Sequence, residues 1–177
     1  IAGHASDEIV AAAINPDATQ LGADVRAGVL STSADELRAS RVMIVDDEPI
    51  NVKVAKKFVE TLGYSNFVTL TDSSSVLDTL RQEMPDVLLL DLMMPNVSGL
   101  DILREMRSDS RFMRIPVIIL TASCDRGTRL QALELGATDF LAKPLDPEEL
   151  APRLRNALLI RSYENHLVKH AETLEEK

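Results

Sequence analysis

The sequence predicts an α/β protein: a five-stranded parallel, doubly wound sheet with helices on both faces, an N-terminal extension and an extended C-terminal helix. Strand and helix patterns alternate five times between residues 41 and 160, and the central strand patterns are apolar at every position rather than at every second one. The chain has 177 residues, 45% hydrophobic and 27% charged, which suits one domain of ordinary size with tails. With 3% aromatic residues and no Trp, its core must be built from Val, Leu, Ile, Ala and Met.

The first strand is expected at 42–45 and stops at Asp46-Asp47-Glu48-Pro49. Pro49 suits a first helical turn, and Ile50, Val54, Phe58 and Leu62 then recur at helical spacing until Gly63. A second strand follows at 67–70 and a helix at 73–84, with a Ser cluster offering N-caps. A third strand at 87–90 is apolar throughout. Helices at 98–107 and 126–135 flank a fourth strand at 117–120, and Gly136 closes the second of them. A short fifth strand at 139–142 precedes a helix at 147–160.

Two further stretches differ in texture. Residues 1–40 are rich in Ala, Asp and Ser. Short helices are expected within 9–14 and 24–30, and Ser33 with Glu36 forms a capping signature; this part reads as a linker or docking arm without chemistry of its own. At the other end the last helix runs on to residue 177. Ile160, Tyr163, Leu167, His170 and Leu174 alternate spacings of three and four, a heptad-like seam able to pair two copies as a coiled coil. His166 and His170, one turn apart, read as a solvated helix face rather than a metal site.

A formal net charge of −9 argues against direct binding to nucleic acid. No apolar run reaches transmembrane length, so no membrane partner is expected. Residues 1–7 lack both a basic flank and an initiator Met, so a signal peptide is not expected and missing upstream sequence is. Cys124, the only cysteine, reads as a helix-start or core residue rather than a nucleophile. It allows no intrachain disulfide, which fits a reducing cytoplasm.

In a parallel doubly wound sheet, ligands bind at the carboxyl ends of the strands, where strand order reverses. Asp46 and Asp47 follow the first strand, Asp91 the third, Thr121-Ala122 the fourth and Lys143-Pro144 the fifth. An acidic pair ahead of a helix also suits its dipole, and a strand-ending Thr is also a helix cap; the site reading rests on the company these residues keep. Three clustered carboxylates need a counter-charge, and all-oxygen ligands suit Mg²⁺. The three histidines fall in the tails, which disfavours zinc. A carboxylate beside Mg²⁺ can attack a phosphoryl group, with a nearby ammonium and hydroxyl neutralising its oxygens.

Four motifs at the strand ends carry a resemblance: V-D-D-E-P at 45–49, L-L-L-D-L-M-M-P-N-V-S-G-L at 88–100, V-I-I-L-T-A at 117–122 and G-A-T-D-F-L-A-K-P-L at 136–145. In this order they resemble the receiver domain of two-component response regulators over about residues 41–160. The resemblance implies the flavodoxin-like strand order 2-1-3-4-5. It implies Asp91 as phosphoacceptor, and Asp46, Asp47, Asp91 and the Met93 backbone carbonyl as Mg²⁺ ligands. Lys143 would pair with phosphoryl oxygens, Ala122 would leave them room, and Lys143-Pro144 would be cis. Thr121 and Phe140 would be a switch pair, Phe standing where Tyr is more frequent.

The implied function is a phosphorylation-dependent switch. A sensor histidine kinase or phosphotransfer protein would donate to Asp91, and the face of the fourth helix, fifth strand and fifth helix of the repeat would respond. The chain would catalyse only its own phosphorylation and dephosphorylation. The tail resembles linkers that lead into cyclic-dinucleotide phosphodiesterases or cyclases, which makes a regulatory fragment of a larger enzyme one alternative; a stand-alone relay or docking protein is another. A phosphohydrolase is disfavoured because Leu92 and Met93, not a second Asp, follow Asp91. A flavin module is disfavoured because carboxylates, not a Ser/Thr/Gly phosphate cradle, follow the first strand.

Overall fold

The computed structural model describes residues 32–122 and 125–175. The helices expected within 9–14 and 24–30, and Cys124, lie outside the described residues. Five strands, β1 (Arg41–Val45), β2 (Asn66–Leu70), β3 (Val87–Asp91), β4 (Val117–Thr121) and β5 (Asp139–Ala142), form one sheet in the order β2-β1-β3-β4-β5. Every pairing is parallel, so the expected topology holds.

Alternate residues of each strand feed opposite cores. Met43, Val45, Leu88, Leu90, Val117 and Ile119 point to one face. There they meet α3 (Val76–Glu83), α4 (Gly99–Ser108) and α5 (Arg126–Glu134) through Leu80, Ile102, Met106 and Ala132. Val42, Ile44, Val87, Leu89, Ile118 and Leu120 point to the other face. That face is covered by α2 (Pro49–Thr61) and α6 (Pro147–Glu175) through Val52, Ala55, Val59, Leu150 and Leu154. Coverage of both faces is why the central strands are apolar at every position.

The punctuation follows from backbone chemistry. Gly63 and Gly136 have φ of 97° and 93°. Each sits just past a helix, where the next two N–H groups donate back to orphan carbonyls: Gly63 to Glu60 and Tyr64 to Val59, Gly136 to Leu133 and Ala137 to Ala132. The expected helix over 73–84 divides into a short 3-10 turn, Ser73–Ser75, and α3. Asp72 caps the turn by accepting from the Ser74 N–H, and Met84 ends α3 in the left-handed region, since Pro85 disfavours continued helix there.

The expected Ser33/Glu36 cap and the extended C-terminal helix are both present. Residues Ala34–Arg38 form a helix, α1, with the full Ser33/Glu36 capping box. Its Leu37 is buried in the same core as Leu158 of α6. The last helix runs unbroken over 29 residues, about 43 Å at 1.5 Å per residue.

Candidate functional site

The reversal of strand order lies between β1 and β3, because β2 returns to one side of β1 and β3 to the other. The carboxyl ends of these two strands deliver Asp46, Asp47 and Asp91. One oxygen from each lies within 4.8 Å of the others. Asp46 and Asp91 are almost fully buried, at 1% and 4% exposure, while Asp47 is half-buried.

Lys143, following β5, reaches back across the edge. Its Nζ contacts Asp46 Oδ2 at 2.5 Å and Asp91 Oδ2 at 3.2 Å. Asp46 Oδ1 accepts from the Glu48 N–H at 3.0 Å and from Asn51 Nδ2 at 3.3 Å. Asp91 Oδ1 accepts from the Met93 N–H at 3.2 Å. The Lys143 N–H donates to the Thr121 carbonyl, which ties the β5 loop to the end of β4. Thr121 is buried, Ala122 exposed, and the Lys143–Pro144 peptide is cis.

The electrostatics are unbalanced. One ammonium serves two buried carboxylates, with a third beside them. Burial holds the Asp91 carboxyl above the ordinary carboxylate range; Lys143 opposes the effect and Asp46 adds to it. Burial alone would lower the Lys143 ammonium, but its hydrogen bond to Asp46 and the charges of Asp91 and Asp46 outweigh it and raise it. Net negative charge in an all-oxygen donor set fits a hard divalent cation and has the chemistry of a Mg²⁺ site.

The sequence placed these groups at one edge, and the structure brings them into contact. Sequence reasoning missed Asn51, although its place one turn into the helix after Asp46-Asp47 was a usable signal. It also missed the arginine over the aromatic ring. Phe140 is buried, at 6% exposure, and the Arg129 guanidinium of α5 lies 5.2 Å from its ring centroid. Gly99 was quoted only as part of a motif. A Cβ there would stand 2.3 Å from the Asp91 carbonyl oxygen, so only glycine lets α4 pack this closely beneath the site. His166 and His170 are exposed on the tail helix, away from the acidic cluster.

A profile of the response regulator receiver domain family matches residues 42–155. The chain belongs to this family. A receiver is a phosphorylation-dependent signalling module, and receivers bind Mg²⁺ in an acidic pocket. The probable transcriptional regulator ycf27 of Guillardia theta is 41% identical over 133 residues, covering 75% of this chain and 50% of that protein. Response regulator PleD of Caulobacter vibrioides is 37% identical over 118 residues, covering 67% of this chain and 26% of that protein. The receiver thus spans half of one curated relative and about a quarter of the other. Among solved structures, the receiver domain of sensor histidine kinase PA1611 from Pseudomonas aeruginosa, described with a magnesium ion coordinated in its active-site cleft, superposes with a TM-score of 0.62 at 29% identity. That match covers 68% of this chain and 98% of that one. No described helix of this receiver is long and apolar enough to cross a membrane.

Proposed function

We propose that this receiver is switched by phosphorylation of Asp91, with a phosphohistidine on a sensor histidine kinase or phosphotransfer protein as donor. One observation carries the reading: the Asp91 carboxylate is at the switch point of the sheet, 3.2 Å from the Lys143 ammonium and beside two further carboxylates. An Asp91 oxygen forms a bond to phosphorus as the phosphorus–nitrogen bond breaks. The electron pair stays on the leaving imidazole nitrogen, and Asp91 becomes an acyl phosphate.

Asp46, Asp47, Asp91 and the Met93 carbonyl would hold Mg²⁺, which when bound supplies positive charge against the carboxylates and the incoming oxygens. Lys143 then has a reason to leave Asp46: the phosphoryl group offers its ammonium a stronger partner. The Thr121 hydroxyl offers a hydrogen bond, and Ala122 takes up little space beside it. Phe140 follows Thr121, and the face of α5, β5 and α6 responds through a shift between two existing states. A protein donor is supported by the apolar surface flanking the site, where Met93 is 75% exposed and Ile50 of α2 63%.

The test is the intact mass of the chain after incubation with acetyl phosphate and Mg²⁺, beside Asp91→Asn. A gain of one phosphoryl group in the parent, absent in the variant and lost with chelator, is expected. A folded parent that gains nothing and does not bind Mg²⁺ overturns the reading.

A second reading concerns the output. The matched segments make up 26% of PleD and 50% of the ycf27 protein, which supports a receiver inside a longer regulator, divided in our reading into 1–40, 41–160 and 161–177. A cyclic-dinucleotide phosphodiesterase or cyclase is the output we infer; a stand-alone relay would need none. Sequencing the encoding gene on both sides of this segment separates the two, since a relay requires a stop codon close behind residue 177.

A further inference from the structure

Three consecutive serines follow β2, and two of them bond within their own turn. Ser74 Oγ donates to Asp72 Oδ1 at 2.7 Å and Ser75 Oγ to the Asp72 carbonyl at 3.0 Å. Ser73 behaves differently. It is buried, at 5% exposure, and its side chain reaches the loop between β3 and α4. There its hydroxyl donates to the Pro95 carbonyl at 2.7 Å and accepts from the Val97 N–H at 3.2 Å. One hydroxyl is thus satisfied as donor and as acceptor by two groups of a single loop.

Those two groups also bond each other. The Val97 N–H donates to the Pro95 carbonyl at 2.9 Å, which closes a three-residue turn over Asn96, whose φ is 70°. A three-residue turn with a positive central φ is rare and strained, and strained backbone persists only where its surroundings over-determine it. Ser73 supplies that constraint by tying both ends of the turn to one oxygen. The oxygen is itself well anchored, because the turn that carries it leads into α3, whose Val76 and Leu80 are buried in the core.

The loop bears on the site through Met93. Leu92 and Met94 are buried in the core, and the Gly99 N–H donates to the Leu92 carbonyl at 3.0 Å, so the loop leaves and re-enters the fold at one place. On the reading proposed above, on which this inference rests, the Met93 carbonyl is a Mg²⁺ ligand. The Met93 N–H donates to Asp91 Oδ1 at 3.2 Å, but that carboxylate is the group that takes the metal and the phosphoryl group. Ser73 holds the same loop from a segment the chemistry does not touch.

We propose that Ser73 is a positioning residue whose hydroxyl clamps the turn at 95–97 and so fixes the Met93 carbonyl for the cation. It acts through the loop rather than on the metal. Outer groups that orient a metal's ligands govern its affinity by roughly 10- to 100-fold.

Calorimetric Mg²⁺ titration of the full chain tests this, together with hydrogen exchange followed by NMR in chelator. The comparison is with Ser73→Ala and with Ser74→Ala, which removes a hydroxyl from the same turn but none from the clamp. Ser73→Ala should weaken Mg²⁺ binding about tenfold and speed exchange of the Val97 amide at least tenfold, while β1 and β3 exchange as before. Ser74→Ala should bind Mg²⁺ like the parent. Faster Val97 exchange with unchanged Mg²⁺ affinity makes the hydroxyl a stabilising bond only and overturns the proposal. Unchanged Val97 exchange, or an equal loss of affinity in Ser74→Ala, overturns it as well. A parent that binds no Mg²⁺ overturns the metal reading itself, a failure separate from that of the clamp.

Discussion

Lys143 and Asp91 set the terms of the site at the scale of single residues. Burial raises the Asp91 carboxyl, so keeping it ionised costs the metal-free fold stability. The sign follows from linkage: this stability is fully present below the ordinary carboxylate range and is lost as pH rises through the raised value. Asp91→Asn should therefore melt higher than the parent at neutral pH in chelator, by roughly 2–4 °C, the shift that ~1 kcal/mol produces in a chain of this size. The gap should close at acid pH as Asp91 takes up its proton. A variant that melts no higher at neutral pH sinks the idea. Lys143→Met should do the opposite. It leaves Asp46 and Asp91 without their shared cation, a loss on the order of 3–5 kcal/mol for a broken buried pair, measurable by urea denaturation; a cost below ~1 kcal/mol would show that water or ions already screen the carboxylates. Gly99→Ala should cost about 2 kcal/mol by overpacking, since the new Cβ meets the Asp91–Leu92 backbone and nothing flexible to displace.

Among the elements, α4 and α5 depend on contacts that no local pattern announces. Arg107, in the last turn of α4, donates Nη1 to the carbonyls of Phe112, Met113 and Ile115, and Nε and Nη2 to Gly136. One guanidinium thus fastens the end of α4, the loop before β4 and the turn after α5. Arg107→Lys should not rescue Arg107→Ala, because a single ammonium cannot span the fork. Both should lower the urea midpoint by an amount equivalent to about 2–3 kcal/mol, and a fully stable Lys variant would count against the clasp. Arg129 plays a smaller part in α5, stacked over Phe140. Arg129→Ala should loosen that ring, seen as faster ring flipping by NMR with little change in melting temperature; an unmoved ring signal would remove Arg129 from any account of the switch.

The contrast between what could be read in advance and what could not runs along the same line. The strands, the helix stops at Gly63 and Gly136, and the Asp46/Asp47/Asp91/Lys143 edge were legible because periodicity and turn chemistry are local, and because a parallel sheet sends its strand ends to one side. Arg107, Arg129 and the tighter hold of Lys143 on Asp46 than on Asp91 were not. Each is a long side chain whose partner is chosen by tertiary approach. Met84 was missed for a different reason: a left-handed residue that is neither Gly nor Asn has no signature beyond the proline after it.

For the whole molecule, the seam on α6 decides whether two receivers associate. Leu167 and Leu174 are 40% and 74% exposed, and a short isolated helix is marginal in water. If the seam pairs, sizing of the beryllofluoride-treated chain should give the mass of two copies, and Leu167→Asp/Leu174→Asp should return it to one. A single-copy mass in the treated parent at high protein concentration would rule out self-association through the tail.

Pro152 stands six positions into a helix of 29 residues, and having no N–H it takes one rung out of the ladder there. Beyond Pro152, Leu154 and Leu158 still hold α6 to the core, so the projecting part begins near Ile160, and its length to residue 175 is roughly 22 Å. By lever arithmetic, a tilt of about 10° at the root sweeps the far tip through roughly 4 Å, the better part of one helical pitch. A displacement too small to notice beside β5 arrives at the tip large enough to change which residues of a neighbour it meets. In this receiver, mechanical advantage comes from helix length.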